Sequence, residues 1–316
     1  MSIKKAEGPF GFLILDKPKG LTSHDCIQKV RKIFGIRRVG HAGTLDPNVT
    51  GVLPIALGNA TRLIPYLEGS KTYYGEIQLG KKTSTDDISG ETISTNKIPT
   101  LNTIELDSYL NSFRGIIRQQ PPQVSSIKVN GERAYKRHLR GEKFMIPSRE
   151  VEIYDLKLIS LDKSLGLIEV IIDCSSGTYI RSIARDLGEK IGCGGCLKKL
   201  RRTQALGFTE NQAIQLSEEN PDGIINRLSV INPIKALNHL AKINLFTEQE
   251  LSYWQHGRAI NCPLERLKDV KNNKKVSEGI ASKISVAVKD KDTLIGIGEW
   301  NLSSRLHPKI VFNPKQ

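Results

Sequence analysis

One short segment combines the residue types that chemistry on a bound ligand would need. Residues 40–51, GHAGTLDPNVTG, place the carboxylate of Asp46 among glycines, next to a histidine, His41. Asp-Pro pairs usually begin turns, and alone this one would indicate nothing more. The glycines would let a ligand approach the backbone closely, and His41 with two preceding arginines would attract phosphate groups. The segment therefore predicts a functional loop that carries a carboxylate.

A second segment offers a cationic partner for this carboxylate. Residues 177–181, GTYIR, follow an apolar run that predicts a buried strand, and they lead into an amphipathic helix over 179–191. Pairing with Arg181 would keep Asp46 ionised and oriented, as a nucleophile must be. The alternative is that Arg181 lies on the exposed face of the helix, and the residues alone leave both possibilities open.

The elements around these segments predict an α+β fold. Residues 11–15 form an apolar run typical of a buried strand, and Thr22 with Asp25 predicts a capping box at the start of the next helix. Residues 35–51 have no apolar period, which predicts a long loop between strong elements. Long loops in that setting are usually functional.

The length of the chain and a change of pattern near its end predict two domains, and the local charge identifies a basic segment. The 316 residues are about twice a usual domain length, and short apolar runs near the end favour a large domain over 1–235 and a small β-rich domain over 236–316. Residues 118–149 are unusually basic and contain a hairpin signal at Asn130-Gly131. We expect this segment to be a projecting arm.

The composition of the chain limits the kinds of partner, location and metal site that we expect. Lys and Arg number 47 against 33 Asp and Glu, a formal charge of +14, which favours a polyanionic partner such as nucleic acid. No apolar run nears the roughly 18 residues of a membrane span, and no secretory signal is visible, so we expect a cytoplasmic protein. The five cysteines argue against a disulfide framework, and Cys193 with Cys196 lacks the second ligand pair of a zinc site.

A nucleotide-binding P-loop is the competing motif. Residues 75–81, GEIQLGK, nearly match it, but Lys82 stands where Ser or Thr would ligate magnesium. The intervening residues alternate as in a strand, so this interpretation fails.

Several motifs together resemble those of the bacterial TruB family of tRNA pseudouridine synthases. The resemblance covers about residues 8–210, and a looser likeness to the family's small PUA-like domain lies in LIGIGE at 294–299. The motifs occur in the family's order: KPKGLTS at 17–23, GHAGTLDP at 40–47, KTY at 71–73, GTYIR at 177–181 and LRR at 200–202.

This resemblance implies a pseudouridine synthase catalytic domain with a mixed, mainly antiparallel sheet, followed by the PUA-like RNA-binding domain. It implies an isomerase that flips the T-loop uridine, position 55 of tRNA, into a pocket and converts it to pseudouridine without cofactor or metal. The partner would be the tRNA T-arm, with no protein partner and a monomeric enzyme. The alternatives are a synthase for another RNA and a non-catalytic RNA-binding or RNA-folding protein.

The resemblance also assigns roles to residues. Asp46 would be the catalytic carboxylate, Tyr73 would lie against the target base, and Arg181 would pair with Asp46. Asp87 is expected to join the Arg181 network, whereas Ser84 stands where the family often has Asp. Lys17 and Pro18 match a motif better interpreted as structural. The residues expected to bind the substrate are His41, Gly43, Thr44, Leu45, Tyr179 and Leu200, with Arg133 and Arg137 on the arm.

Overall fold

The computed structural model of the chain describes residues 9–129, 131–215, 230–269 and 283–312. Short 3-10 helices cover Gly58–Tyr66, Glu210–Gln212 and Leu264–Arg266. The other elements, in chain order, are β1 (Gly11–Lys17), α1 (Ser23–Phe34), β2 (Val39–His41), β3 (Thr50–Leu57), β4 (Lys71–Leu79), β5 (Lys81–Thr83), β6 (Thr92–Thr95), α2 (Thr103–Asn111), β7 (Gly115–Gln119), β8 (Lys128–Val129), β9 (Glu132–Arg133), α3 (Ala134–Leu139), β10 (Arg149–Asp162), β11 (Leu167–Cys174), α4 (Ile180–Ile191), β12 (Gly195–Ala205), β13 (Phe208–Thr209), α5 (Pro233–Ala236), β14 (Ala241–Asn244), α6 (Glu248–Gln255), β15 (Ile260–Asn261), β16 (Lys283–Asp290), β17 (Thr293–Asn301) and β18 (Arg305–Val311).

A nine-stranded sheet forms the larger part of the molecule. Its strand order is β1-β3-β12-β4-β11-β10-β7, with β2 added to β3 and β13 added to β12. Every neighbouring pair is antiparallel except β3 and β12, which run parallel. Helices α1, α2 and α4 contribute buried residues to its core, among them Val30, Leu106 and Ile183. The predicted α+β class with a mixed, mainly antiparallel sheet is confirmed.

The boundaries of α1 follow from its end residues. The Thr22 hydroxyl accepts a hydrogen bond from the backbone N–H of Asp25, and the Asp25 carboxylate accepts one from the backbone N–H of Thr22. Gly35 ends the helix in the left-handed conformation, which costs glycine little. This capping box is the one that the sequence predicts.

The segment 35–51 was expected to be a loop throughout, and this prediction is wrong in part. Residues Val39–His41 form β2, which pairs with β3 so that Gly40 lies opposite Ala56. A strand of this length offers too few residues for an alternating pattern to be visible. Only the part from Ala42 to Val49 connects β2 to β3 without regular structure.

A second sheet of five strands, in the order β14-β16-β17-β18-β15, lies near the C-terminal end. It has its own core around Trp254, but it also shares an apolar cluster with the large sheet. Phe12 and Val52 from the large sheet pack in that cluster with Leu294 and Ile310. The predicted division at residue 235 falls inside α5 and stays a prediction.

The basic arm contains the short strand pair β8 and β9 followed by α3. Asn130, half of the predicted hairpin signal, lies outside the described residues. Arg140 braces the arm from within, because its guanidinium binds both carboxylate oxygens of Glu132 at 2.7 Å and also contacts Glu142. In the described parts of the chain, no helix is both long and apolar enough to cross a membrane.

Helix α4 lies unusually close to strand β12 because two glycines face each other there. A Cβ atom on Gly188 would overlap the backbone nitrogen of Gly195, and a Cβ atom on Gly195 would meet the carbonyl oxygen of Ala184. This contact sets the distance between the helix that carries Arg181 and the strand that carries Leu200.

We predict that Gly188→Ala lowers the free energy of unfolding by about 1–3 kcal/mol, as overpacking does, although alanine is the better helix former. Chemical denaturation measures the change. The control is Lys190→Arg on the same helix, which should stay within about 0.5 kcal/mol because this exposed side chain keeps its charge near the Phe113 ring. Unchanged stability of Gly188→Ala would contradict the close packing described here.

Candidate active site

A pocket of about 300 Å³ opens beside the loop that follows β2. Its walls come from this loop, from β4 and β12 of the large sheet, from the start of α4 and from the base of the arm. Of the residues predicted for the site, those that line the pocket are Thr44, Leu45, Asp46, Tyr73, Tyr179, Arg181 and Leu200.

The loop carrying Asp46 is held on both sides of that residue by the segment 17–23. The backbone N–H of Leu45 donates to the Ser23 hydroxyl at 2.9 Å, and this hydroxyl donates to the Leu45 carbonyl at 3.1 Å. The Pro47 carbonyl accepts from the Lys17 ammonium at 3.1 Å and from the Gly20 N–H at 2.9 Å. These contacts give the KPKGLTS motif a structural task, and burial lowers the pKa of Lys17.

The predicted ion pair between Arg181 and Asp46 is present. Nη2 of Arg181 lies 2.8 Å from Oδ2 of Asp46. The same guanidinium donates to the carbonyl of Thr85 at 3.1 Å and to that of Val124 at 2.8 Å. Arg181 is only 5% exposed, whereas the Asp46 side chain is 43% exposed. A buried cation therefore orients a carboxylate whose other side faces the pocket.

The acidic loop after β5 joins this network, as predicted for Asp87. Oδ2 of Asp87 lies 3.6 Å from Nη1 of Arg181, which is a weaker contact than the one to Asp46. Ser84 closes the loop instead of binding Arg181, because its hydroxyl accepts from the N–H of Glu91 at 3.0 Å. One turn along α4, Arg185 binds Asp86 at 2.8 Å, so two arginines of one helix hold the acidic loop.

Tyr73 and Leu200 form one wall of the pocket on adjacent strands. Residues at every second position of a strand share a face, so Tyr73 and Gly75 of β4 face the same side. Gly75 pairs with Leu200 of β12, and Tyr73 pairs with Arg202. Tyr73 is 7% exposed, and its burial raises the pKa of its hydroxyl while the charge of Arg202 opposes that effect.

Two cations in this wall escaped the prediction of site residues, although both stand in motifs that carry the resemblance. Lys71 lines the pocket, and burial with the charge of Arg202 lowers its pKa. Arg202 is fully buried and donates to the carbonyl of Gly43 at 3.1 Å. Lys71 stands two residues before Tyr73, and Arg202 stands two residues after Leu200. In a strand this spacing places the side chains on the same face, which is the signal that could have identified both cations.

The remaining predicted residues lie next to the pocket or on the arm. Gly43 and His41 do not line it, and burial lowers the pKa of His41. Tyr179 is fixed from both sides, because its backbone N–H donates to the Gln119 amide oxygen at 2.8 Å and its ring carries the guanidinium of Arg149 at 4.9 Å. Arg133 and Arg137 belong to the arm and lie outside the pocket lining.

The arrangement provides one carboxylate that could act as nucleophile or base, one tyrosine hydroxyl and a wall suited to a planar ring. The cations Lys71, Arg149 and Arg181 also line the pocket, which suits an anionic substrate. Within the ranges that the structure describes, no group of three or more His, Cys, Asp or Glu side chains is placed to hold a metal ion.

Comparisons with known proteins agree with the family resemblance of the sequence. Residues 31–180 match the model described as the TruB family pseudouridylate synthase (N terminal domain), and residues 181–218 match the tRNA pseudouridylate synthase B C-terminal domain. A protein of Prochlorococcus marinus (strain MIT 9313) named tRNA pseudouridine synthase B is 48% identical over 96% of this chain and 98% of its own. A protein of the same name from Synechococcus sp. (strain CC9311) is 47% identical, over 98% and 99%.

Solved structures support the fold alone. The structure titled as a Cbf5-Nop10-Gar1 complex matches with a TM-score of 0.69 at 24% identity and covers 97% of this chain and 86% of that one. The archaeal box H/ACA sRNP Nop10-Cbf5 complex matches at 0.67 with 23% identity, over 97% and 87%. The identity and coverage of the relatives, with the two matching domain models, show that the chain belongs to the TruB family of pseudouridine synthases.

Proposed function

We propose that this protein converts a uridine of tRNA to pseudouridine, and that the uridine is the one at position 55 in the T-loop. The observation that carries the proposal is the ion pair of a buried Arg181 with an Asp46 carboxylate that is open to the pocket. A protein that only bound or folded RNA would have no need of a carboxylate there, since it repels phosphate.

The reaction needs few chemical groups. The bond between N1 and the ribose C1′ breaks, the uracil turns, and C5 bonds to C1′, so no group is added and no cofactor is consumed. Asp46 would attack C1′, add to C6 or abstract a ribose proton, and each of these roles needs the ionised carboxylate that Arg181 supports. Tyr73 lies where it would stack on the ring and assist loss of the C5 proton.

A uridine inside a folded tRNA loop must leave its stack to reach this pocket, at a cost of a few kcal/mol. Contacts to the RNA backbone would offset that cost, and the arm is their proposed source, because Ser126 and Ile127 at its base line the pocket. We assign the small C-terminal sheet a PUA-like role in holding the tRNA. We further propose a monomeric enzyme that works in the cytoplasm on the T-arm.

The first prediction concerns Asp46. Asp46→Asn should bind a T-arm stem-loop normally and lose catalysis on the order of 10⁴-fold or more, because the amide is neither a nucleophile nor a base. Single-turnover conversion of uridine at saturating RNA measures this. The control Asp107→Asn removes an exposed carboxylate on α2 and should leave the rate unchanged. Substantial turnover by Asp46→Asn would remove it from the chemistry.

The second prediction concerns its partner. Arg181→Lys should keep the fold but lose at least about 10-fold in rate, since an ammonium cannot hold the carboxylate and two carbonyls in the same planar geometry. Arg185→Lys, one turn along α4, is the matched control because it binds Asp86 instead. Equal losses of rate in the two variants would mean that the activity depends on helix α4 in general and not on the pair of Arg181 with Asp46.

The third prediction separates the cations of the arm by their partners. Arg133 and Lys136 are exposed, and neither has an ion pair within the described residues, whereas Arg137 binds Glu142 at 2.7 Å and Arg140 binds Glu132. Arg133→Gln with Lys136→Gln should weaken T-arm binding and reduce its log-log salt slope by up to roughly one unit per lost phosphate contact.

The matched control is Arg140→Gln, which removes an internally paired charge. Its salt slope should change less than that of the double variant, although the arm would lose stability. A salt slope that is identical in the double variant and the unaltered protein would place the phosphate contacts elsewhere.

A further inference from the structure

Arg202 is a fully buried cation that has no acidic partner among the residues that the structure describes. Its Nε donates to the carbonyl of Val52 at 2.7 Å, and its Nη2 donates to the carbonyl of Gly43 at 3.1 Å. Its Nη1 is also buried and makes no hydrogen bond of ordinary geometry to any described residue. Among the described residues, no carboxylate forms an ion pair with it.

The next residue shows what a purely structural arginine of this strand has. Arg201 points to the other side of β12 and binds both carboxylate oxygens of Asp16, at 2.9 and 3.0 Å, with Glu210 close by. Burying a charge without such a partner is costly. Nη1 of Arg202 is therefore a donor that a neighbouring group could use when that group becomes negative.

Tyr73 is the group placed to become that counterpart. It lies directly opposite Arg202 in the register of β4 and β12. Burial raises the pKa of Tyr73, whereas the charge of Arg202 and a side-chain contact with it act in the opposite direction and favour the ionised form. The other groups around them are the cations Lys71 and Arg149, the buried thiol of Cys174, and Asp46 across the pocket. His41 and Lys17 also lie within the range of the Arg202 charge. Of these, Asp46 and a Cys174 thiolate would disfavour a phenolate, while the cations would favour it.

The proposed reaction requires a base at a late stage. Once C5 has bonded to C1′, the C5–H bond must break, and its electron pair restores the double bond between C5 and C6. The proton must go to a nearby base, and N1, which carried the negative charge after bond cleavage, takes a proton from water. A neutral phenol is a poor acceptor, whereas a phenolate is a good one.

We propose that Arg202 is a positioning residue that stabilises the ionised form of Tyr73, through Nη1, so that the Tyr73 oxygen takes the C5 proton. The inference rests on the proposed function and adds to it the origin of the base. The proton then passes from Tyr73 to the hydroxide left when water protonates N1, so atoms and charge balance without a co-reactant.

A spectroscopic titration tests the link between the two side chains without relying on activity. Tyr73→3,5-difluorotyrosine introduces a more acidic phenol, whose ionisation is seen by absorbance below the range in which the other tyrosines titrate. Arg202→Met in this background should raise the titration midpoint by about one pH unit or more, because the favourable charge is lost. Arg201→Met, the matched control, should leave the midpoint unchanged.

Kinetics on the same proteins tests the consequence. A base acts in its ionised form, so the single-turnover rate at saturating T-arm RNA should rise with pH and level off above the midpoint. Arg202→Met should shift this rise to higher pH. The single-turnover rate should fall at least about 10-fold at pH values below both midpoints, and the loss should become smaller above them. The affinity for RNA should stay within about two-fold of that of the unaltered protein. If Arg202→Met does not fold, Arg202→Lys, which keeps the charge but not the fork, replaces it and should show a smaller shift.

The outcomes separate this inference from the function on which it rests. An unmoved midpoint in a folded Arg202 variant, or a rate loss that is the same at every pH, overturns the role of Arg202 while the unaltered protein still makes pseudouridine. If the unaltered protein makes no pseudouridine in any tRNA, the proposed function itself fails.

Discussion

The buried guanidinium of Arg181 is the contact on which the site depends. Its donors are shared among the Asp46 carboxylate, the carbonyls of Thr85 and Val124, and more distantly Asp87. These partners belong to three separate loops, so one side chain joins the loop after β2, the acidic loop and the base of the arm. Displacement of any one of these loops would leave a buried donor of Arg181 without its partner. Because an unpaired buried donor is costly, the guanidinium opposes the movement of each loop.

The position of Asp46 is fixed through both its backbone and its side chain. The chain on either side of Asp46 is held by residues 17–23, and its carboxylate is held by Arg181, so both backbone and rotamer are defined before substrate arrives. Such preorganisation lowers the cost of orienting a reactive group. Tyr73 is held by its strand, directly opposite Arg202 of β12.

The sequence predicted correctly those features that depend on residues close together in the chain. The capping box at Thr22, the buried strand at 11–15 and the C-terminal β-strands follow from residue type and period, and the motifs brought Asp46, Tyr73 and Arg181 to one pocket. Strand β12 was not predicted, because the charged pairs in GCLKKLRRTQA and two irregularities in its pairing with β4 hide the alternation. The orphaned donor of Arg202 has no sequence signal, since it depends on partners far apart in the chain.

The apolar cluster shared by the two sheets also bears on how the chain acquires its structure during synthesis. Phe10, near the beginning, meets Phe312, near the end, with ring centroids 5.0 Å apart, and β1 depends on the same cluster. Contacts between residues so distant in sequence slow folding, because the intervening chain must be ordered first. The outer edge of the large sheet can therefore reach its final packing only after β18 has been synthesised, long after the Asp46 loop has been made.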